Sequence, residues 1–311
     1  MKAPAAIALA AALAAGSAVG TSRAAFSAHD QFTSSLSTAT DWVAPAVTLT
    51  TPADGSVTKS TSIAFGGAAG NASGDSATVT LNVYSGSAPT GTPVLTRAVT
   101  RSAATWSTTV TTLGQGTYTA QATQPDSAGN TGTSTPSTLT IDTTAPTRVS
   151  IAAVNGTGTS GHLDAGDTIT FTYSEPMLAS SILSGWSGTS PATVKVRFFK
   201  GTIDAFTVLD GASAANVRLD AGTTAGGGVS LGSGANFVTN TVTFGATLTR
   251  SPDGASFVVT LGSPDNPSRV VATQTGTANM TWTPKAGPTD LAGNALASTA
   301  TWTETDADRD F

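Results

Sequence analysis

Thr78-Val79-Thr80-Leu81-Asn82-Val83-Tyr84 sets three aliphatic residues against hydroxyls and an amide, one position in two. Successive side chains on a strand point to opposite faces. This stretch therefore predicts a strand with one apolar and one polar face. Tyr118, Ala120 and Ala122 alternate in the same way with Thr117, Thr119, Gln121 and Thr123. Further runs at Val47–Thr51, Ser62–Gly67, Pro93–Arg101, Thr105–Thr111 and Thr135–Asp142 bring the expected strands to seven in residues 45–145. Turn residues separate them at Pro52–Gly55, Gly70–Gly74, Ser85–Gly91, Leu113–Gly116 and Asp126–Asn130. Short one-faced strands must be stacked as two sheets to bury that face, which predicts an antiparallel β-sandwich.

Residues 146–311 repeat the pattern. Ile169, Phe171 and Tyr173 form one stripe, Val194, Val196 and Phe198 a second, and Val242, Phe244 and Leu248 a third. Phe257, Val259 and Leu261, then Met280 and Trp282, then Ala300 and Trp302 continue it. The segments Gly201–Ala215 and Gly222–Asn236 read as long loops, and Met177–Leu183 as a short turn or helix. Asp126-Ser127-Ala128-Gly129-Asn130 and Asp290-Leu291-Ala292-Gly293-Asn294 are near-copies, one in each half. The expectation is an all-β chain of two tandem sandwiches, with the second larger and longer in its loops.

Composition narrows the function. Charged residues make up 11% of the chain, against about 25% in a typical domain. The net charge of −5 comes without any cluster of Lys and Arg, so nucleic acid and anionic lipid are not expected partners. With no cysteine, disulfides, thiolate nucleophiles and thiolate metal sites are excluded. Lys2 followed by the apolar run Ala5–Gly20 reads as a secretory signal, too short and weakly apolar for a membrane span. Residues 1–25 are the expected signal segment and 26–44 a polar tether. No Leu-Pro-x-Thr-Gly sorting signal follows.

Three resemblances join these readings. Gly20-Thr21-Ser22-Arg23-Ala24-Ala25-Phe26-Ser27-Ala28 resembles the leader end of camelysin and biofilm-fibre type proteins, which implies a cut between Ala25 and Phe26. Pro45–Leu49 with Thr51–Gly55, Gly116–Ala120 with Asp126–Asn130, and Ile141–Pro146 resemble the opening, last hairpin and linker of bacterial Ig-like repeats. Gly116-Thr117-Tyr118 is similar to the tyrosine corner of such folds, and Trp106 offers a core plug. Asp167–Tyr173 running into Ser174-Glu175-Pro176, with Asp290–Asn294 near the end, resembles the Ig-like domains of S-layer-type proteins. The resemblance implies an immunoglobulin-like fold and a role as spacer or adhesin stalk.

Candidate sites are few. His29 and His162 are the only histidines and lie in different regions, neither near a Gly-x-Ser-x-Gly signature. Glu175 with Asp164 or Asp167 could flank a glycosidic bond, while the plain reading makes Glu175 a strand end. Asp126, Asn130, Asp290 and Asn294 offer hard oxygens of the kind calcium takes, while the plain reading makes each a turn capped by its own Asp. Calcium is the only cofactor these residues suggest. Trp186, between Gly185 and Gly188, is a candidate platform for a sugar ring or else a loop anchor. The outward threonines suit half-exposed strands, and Glu304, Asp306, Asp308 and Asp310 form an acidic tail. The expected function is an exported, non-enzymatic structural or adhesive protein of the cell surface or matrix, free of the membrane once cut. The alternatives are a module binding polysaccharide or cell wall, and a secreted hydrolase.

Overall fold

A computed structural model describes residues 42–232, 236–271, 277–305 and 311. The expected signal segment, its cleavage point at Ala25 and Phe26, His29 and most of the tether lie outside the described residues. Trp42–Phe311 forms one compact unit.

The first half contains eight strands: β1 (Ser56–Thr58), β2 (Ile63–Ala68), β3 (Thr78–Ser85), β4 (Leu95–Thr100), β5 (Thr105–Val110), β6 (Gly116–Pro125), β7 (Thr131–Thr133) and β8 (Ser137–Ile141). The larger sheet runs β1-β8-β6-β3-β4, with β7 also on β6, and β2 pairs with β5 in a second sheet. The stripe that predicts β3 is fully buried at Val79, Leu81 and Val83. It meets Ile63, Phe65, Trp106 and Val110 of the facing sheet in one core. Trp106 is the expected plug, and its indole N–H donates to the Thr48 carbonyl at 2.9 Å, so the ring's polar edge is satisfied inside. Tyr118 closes its corner by donating its hydroxyl to the Gly114 carbonyl at 3.2 Å.

Two details differ from the expected sandwich. β1 pairs with β8 in parallel, because the chain crosses from one sheet to the other before returning to the edge. Val47 and Leu49 are buried as predicted, but their segment is bonded only in part, through Thr48 N to Ala68 O and Thr50 N to Gly66 O. Gly67 permits that contact, since a Cβ there would collide with the Thr48 carbonyl.

The second half contains β9 (Arg148–Val154), β10 (Thr168–Tyr173), β11 (Ala192–Phe199), β12 (Ala205–Asp210), β13 (Val229–Ser230), β14 (Val242–Arg250), β15 (Ser256–Pro264), β16 (Thr281–Trp282) and β17 (Trp302–Thr303), with α1 (Ala179–Ile182) inside the expected helical stretch. These strands form one antiparallel sheet in the order β17-β16-β13-β12-β11-β14-β15-β10-β9. The sheet coils until its ends face each other. Phe171 of β10 and Trp282 of β16 stand near opposite ends of that order, yet their rings meet edge to face at 5.3 Å. A single coiled sheet thus encloses a core as two stacked layers would.

The two long loops are corrected by this sheet. Gly201–Ala215 contains β12 and Gly222–Asn236 contains β13. Phe206–Leu209 is buried on both faces, so its apolar residues Phe206, Val208 and Leu209 show no alternation around the buried Thr207. Asp220, wholly buried behind it, accepts from Thr207 Oγ1 at 2.6 Å and from the Val208 and Gly222 amides.

Candidate functional site

The near-identical pentapeptides close through the same bonds between Asp and Asn. Asp126 Oδ1 accepts from the Ala128 and Asn130 amides at 2.9 and 2.8 Å, and Oδ2 accepts from Asn130 Nδ2 at 2.7 Å. Asp290 Oδ1 accepts from the Asn294 amide and Oδ2 from Asn294 Nδ2, each at 2.8 Å. Gly129 and Gly293 sit at φ 95° and 88°, the left-handed region that glycine occupies without strain. Both oxygens of each aspartate thus accept hydrogen bonds from within its own turn. The Asn130 amide, followed by the turn's backbone amides, holds the Asp126 carboxyl below its usual value.

The surroundings of the two turns differ. Ser127, Ala128 and Gly129 are exposed. Asp290 and Asn294 are buried, because the first module sits over them. Asn294 Nδ2 also donates to the Asp142 carbonyl at 2.8 Å. Lys59, one residue past β1, donates its Nζ to the Gly293 carbonyl at 2.8 Å and its backbone amide to Ala292 at 3.2 Å. The linker is tied on both sides. Gln115 of the first module bonds Thr143 and Thr144, while Ser174 bonds Thr147 and Ala297 bonds Pro146.

This junction gathers three carboxylates. One oxygen each from Asp142, Glu175 and Asp290 lies within 4.8 Å of the others. Burial, then the charges of Asp142 and Asp290, push Glu175 up to about 7, with a hydrogen bond to Asp142 in the same direction. Gln115, Thr117, Thr140, Asp142, Ser174 and Glu175 line an open groove of about 430 Å³ beside the cluster. Chemically, such a cluster can share a proton near neutrality or attract a hard cation. Its members lie far apart in the sequence, in the linker, two residues past β10 and in the second turn.

The expected pairing of Glu175 with Asp164 or Asp167 is corrected. Those aspartates precede β10 and Glu175 follows it, so roughly 3.3 Å per residue of extended chain separates them by far more than the ~9.5 Å a carboxylate pair spans. Asp167 instead accepts from the Gly156 and Asp164 amides at 2.9 and 2.7 Å, and burial raises its carboxyl. His162 Nδ1 lies 3.1 Å from Asp164. Trp186 is corrected as well. It is 8% exposed, stacks tilted on Phe257 at 5.9 Å and donates its indole N–H to Ser190. The ring that would receive a sugar is the anchor of its own loop. Glu304 of the acidic tail is bonded too, accepting from the Met280 amide at 3.1 Å.

Among the described residues no helix is long and apolar enough to cross a membrane. No curated protein matches the chain. The Clostridium thermocellum CbhA fibronectin(III)-like modules are similar in structure, with 12% identity over 70% of this chain and 90% of that one, at a TM-score of 0.25. Dimeric latent PorU from Porphyromonas gingivalis shares 13% identity over 76% of this chain and 21% of that one, at 0.28. Both scores are too low to bear on what the chain does. The sequence profile described as bacterial Ig-like domain matches residues 43–143, and with Tyr118 and Trp106 in place that segment is a bacterial Ig-like domain.

Proposed function

We propose that this is an exported, non-enzymatic structural protein of the bacterial surface or matrix, in which two sandwiches act as one stiff rod. The observation that carries this is the bonded junction: Asn294 to Asp142, Lys59 to Gly293, and a linker held at both ends. Connected domains move relative to one another unless the surface between them is fixed. A spacer or stalk needs that fixity. An adhesive role and attachment at the cell surface extend the same reading. Small-angle scattering of the purified chain should give one narrow interdomain distance, and Asn294→Ala should broaden it. A broad distribution in the wild type would sink the proposal.

The junction groove favours one second reading, binding of a polysaccharide, because hydroxyl, amide and carboxyl groups line it. Saturable binding of a glycan that Gln115→Ala abolishes would establish it. Turnover of a polymer, lost in Glu175→Gln, would replace both readings with a hydrolase.

A further inference from the structure

The outer face of the second sheet carries a groove built around two cations. Val194, Val196 and Phe198 of β11 are fully buried in the core, so Lys195 and Arg197 between them stand on the other face. Across the ladder on β14, Arg197 is paired with Thr243 and Lys195 with Gly245. The next ladder, between β14 and β15, shifts register between Phe244 and Ala246. Glycine inside a strand marks a bulge or a place where something approaches the backbone closely. Here it leaves a hollow: a Cβ on Gly245 would meet nothing nearer than the Ser263 carbonyl oxygen, at 3.9 Å. With Ser213, Ser263 and Asp265 among its walls, this hollow is part of an open groove of about 290 Å³.

Both cations are positioned but not neutralised. Lys195 Nζ donates to Ser213 Oγ at 2.8 Å. Arg197 donates from Nε to Thr243 Oγ1 at 3.2 Å and from Nη1 to the Thr224 carbonyl at 3.0 Å. These acceptors are all neutral, and an ammonium and a guanidinium carry more donors than such bonds use. Among the described residues the ion pairs are His162–Asp164 and Lys200–Asp204, so neither groove cation has a carboxylate at that range. Asp210 feels the Lys195 charge from farther off, and its own oxygens accept from the Ala214 amide and Asn216 Nδ2. The carboxylate in the groove wall, Asp265, accepts from the Thr243 amide at 3.1 Å through Oδ1. The groove is therefore positive on a chain whose net charge is −5.

We propose that the groove binds an acidic polysaccharide, holding the carboxylate of one sugar between Lys195 and Arg197 and its hydroxyls on Ser213, Ser263 and Asp265. Cations already held in place lose little freedom when an anion arrives, and charge-assisted hydrogen bonds are the stronger kind. Asp265 repels a phosphate dianion more than a carboxylate, yet it accepts readily from a sugar hydroxyl. A neutral glycan would leave both cations unanswered, and two cations are too few for nucleic acid. The groove is open, as a polymer requires.

The site needs only the second sheet and does not depend on the rod. Titration calorimetry of the full-length chain with trigalacturonate should show saturable binding that weakens in added salt. Lys195→Gln and Arg197→Gln should each weaken it at least about tenfold, the loss of one hydrogen bond to a charged group. Gly245→Leu keeps every charge but fills the hollow, and should abolish binding. The three side chains stand outside the core, so melting temperatures should hold. The methyl-esterified trisaccharide and inorganic phosphate should each bind at least about tenfold more weakly than trigalacturonate. A wild type that binds nothing, equal binding of the ester or of phosphate, or binding that survives Gly245→Leu would each overturn the site. None of these outcomes touches the interdomain distance, so the rod stands or falls on its own measurement.

Discussion

Asp126–Asn130 and Asp290–Asn294 share a sequence pattern, a backbone and a set of internal hydrogen bonds, but only the second is buried. Local chemistry alone makes the turn, and context decides its role. At the first, water can replace any bond that is lost. At the second, the same bonds are sealed beneath the first module, and Asn294 spends its amide on both Asp290 and Asp142. A buried donor left without its acceptor costs far more than an exposed one.

Removing the carboxylate from each turn breaks the comparison most directly. Asp290→Ala strands the Asn294 amide and backbone N–H, and should cost about 3 kcal/mol, or roughly 6–12 °C of melting temperature for a unit of this size. Asp126→Ala should cost less. Denaturant melts of both variants check it, and equal losses would mean that the junction does not seal the second turn.

Glu175 comes next. Its folded pKa is raised from 4.5 to about 7, so the folded state binds a proton that the unfolded chain releases earlier. Wild-type stability should therefore fall as pH rises through that window and level off above it. Glu175→Gln removes the charge and should be more stable than wild type at pH 8 by roughly 1–2 kcal/mol, after allowance for partial exposure. Near pH 4 the two should converge. Urea midpoints across pH 4–9 decide this, and a constant difference would put the effect down to packing.

The same contrast separates what the sequence makes legible from what it does not. β3, β6, β10 and β15 follow from apolar alternation, because one face of each is wet or weakly covered. β12 is covered on both faces and carries no period. The coil that brings Phe171 to Trp282 is set by nine strands together, which no local window contains. The turns are legible because Asp, Gly and Asn act within five residues. The Asp142–Glu175–Asp290 cluster is illegible for the opposite reason, since three dispersed carboxylates meet only once the linker is docked. Trp186, flanked by glycines, reads as exposed. Phe257, from a strand far along the chain, buries it.

Lys59→Ala should be milder. An exposed ammonium on a carbonyl contributes roughly 0.5 kcal/mol, so the melt should barely move. The scattering profile should still broaden, because Lys59 holds the one turn to the other module. An unchanged profile would leave Asn294 and the linker as the whole of the junction.

The smallest effect belongs to Asp126, whose carboxyl is held low by the Asn130 amide and the turn's N–H groups. A depressed folded pKa adds stability that is present above the unfolded value of 3.8 and is lost as pH falls through the folded one. Asp126→Asn keeps an oxygen for the backbone donors but has no charge to lose. The wild type should therefore lead the variant slightly at pH 6, and the gap should close as the pH falls toward 2. Paired denaturant midpoints over that range measure it. Because Ser127, Ala128 and Gly129 of this turn are exposed, the gap should also shrink in added salt. A gap that ignores both acid and salt would mean that the first turn is sealed like the second, and the comparison between them would lose its basis.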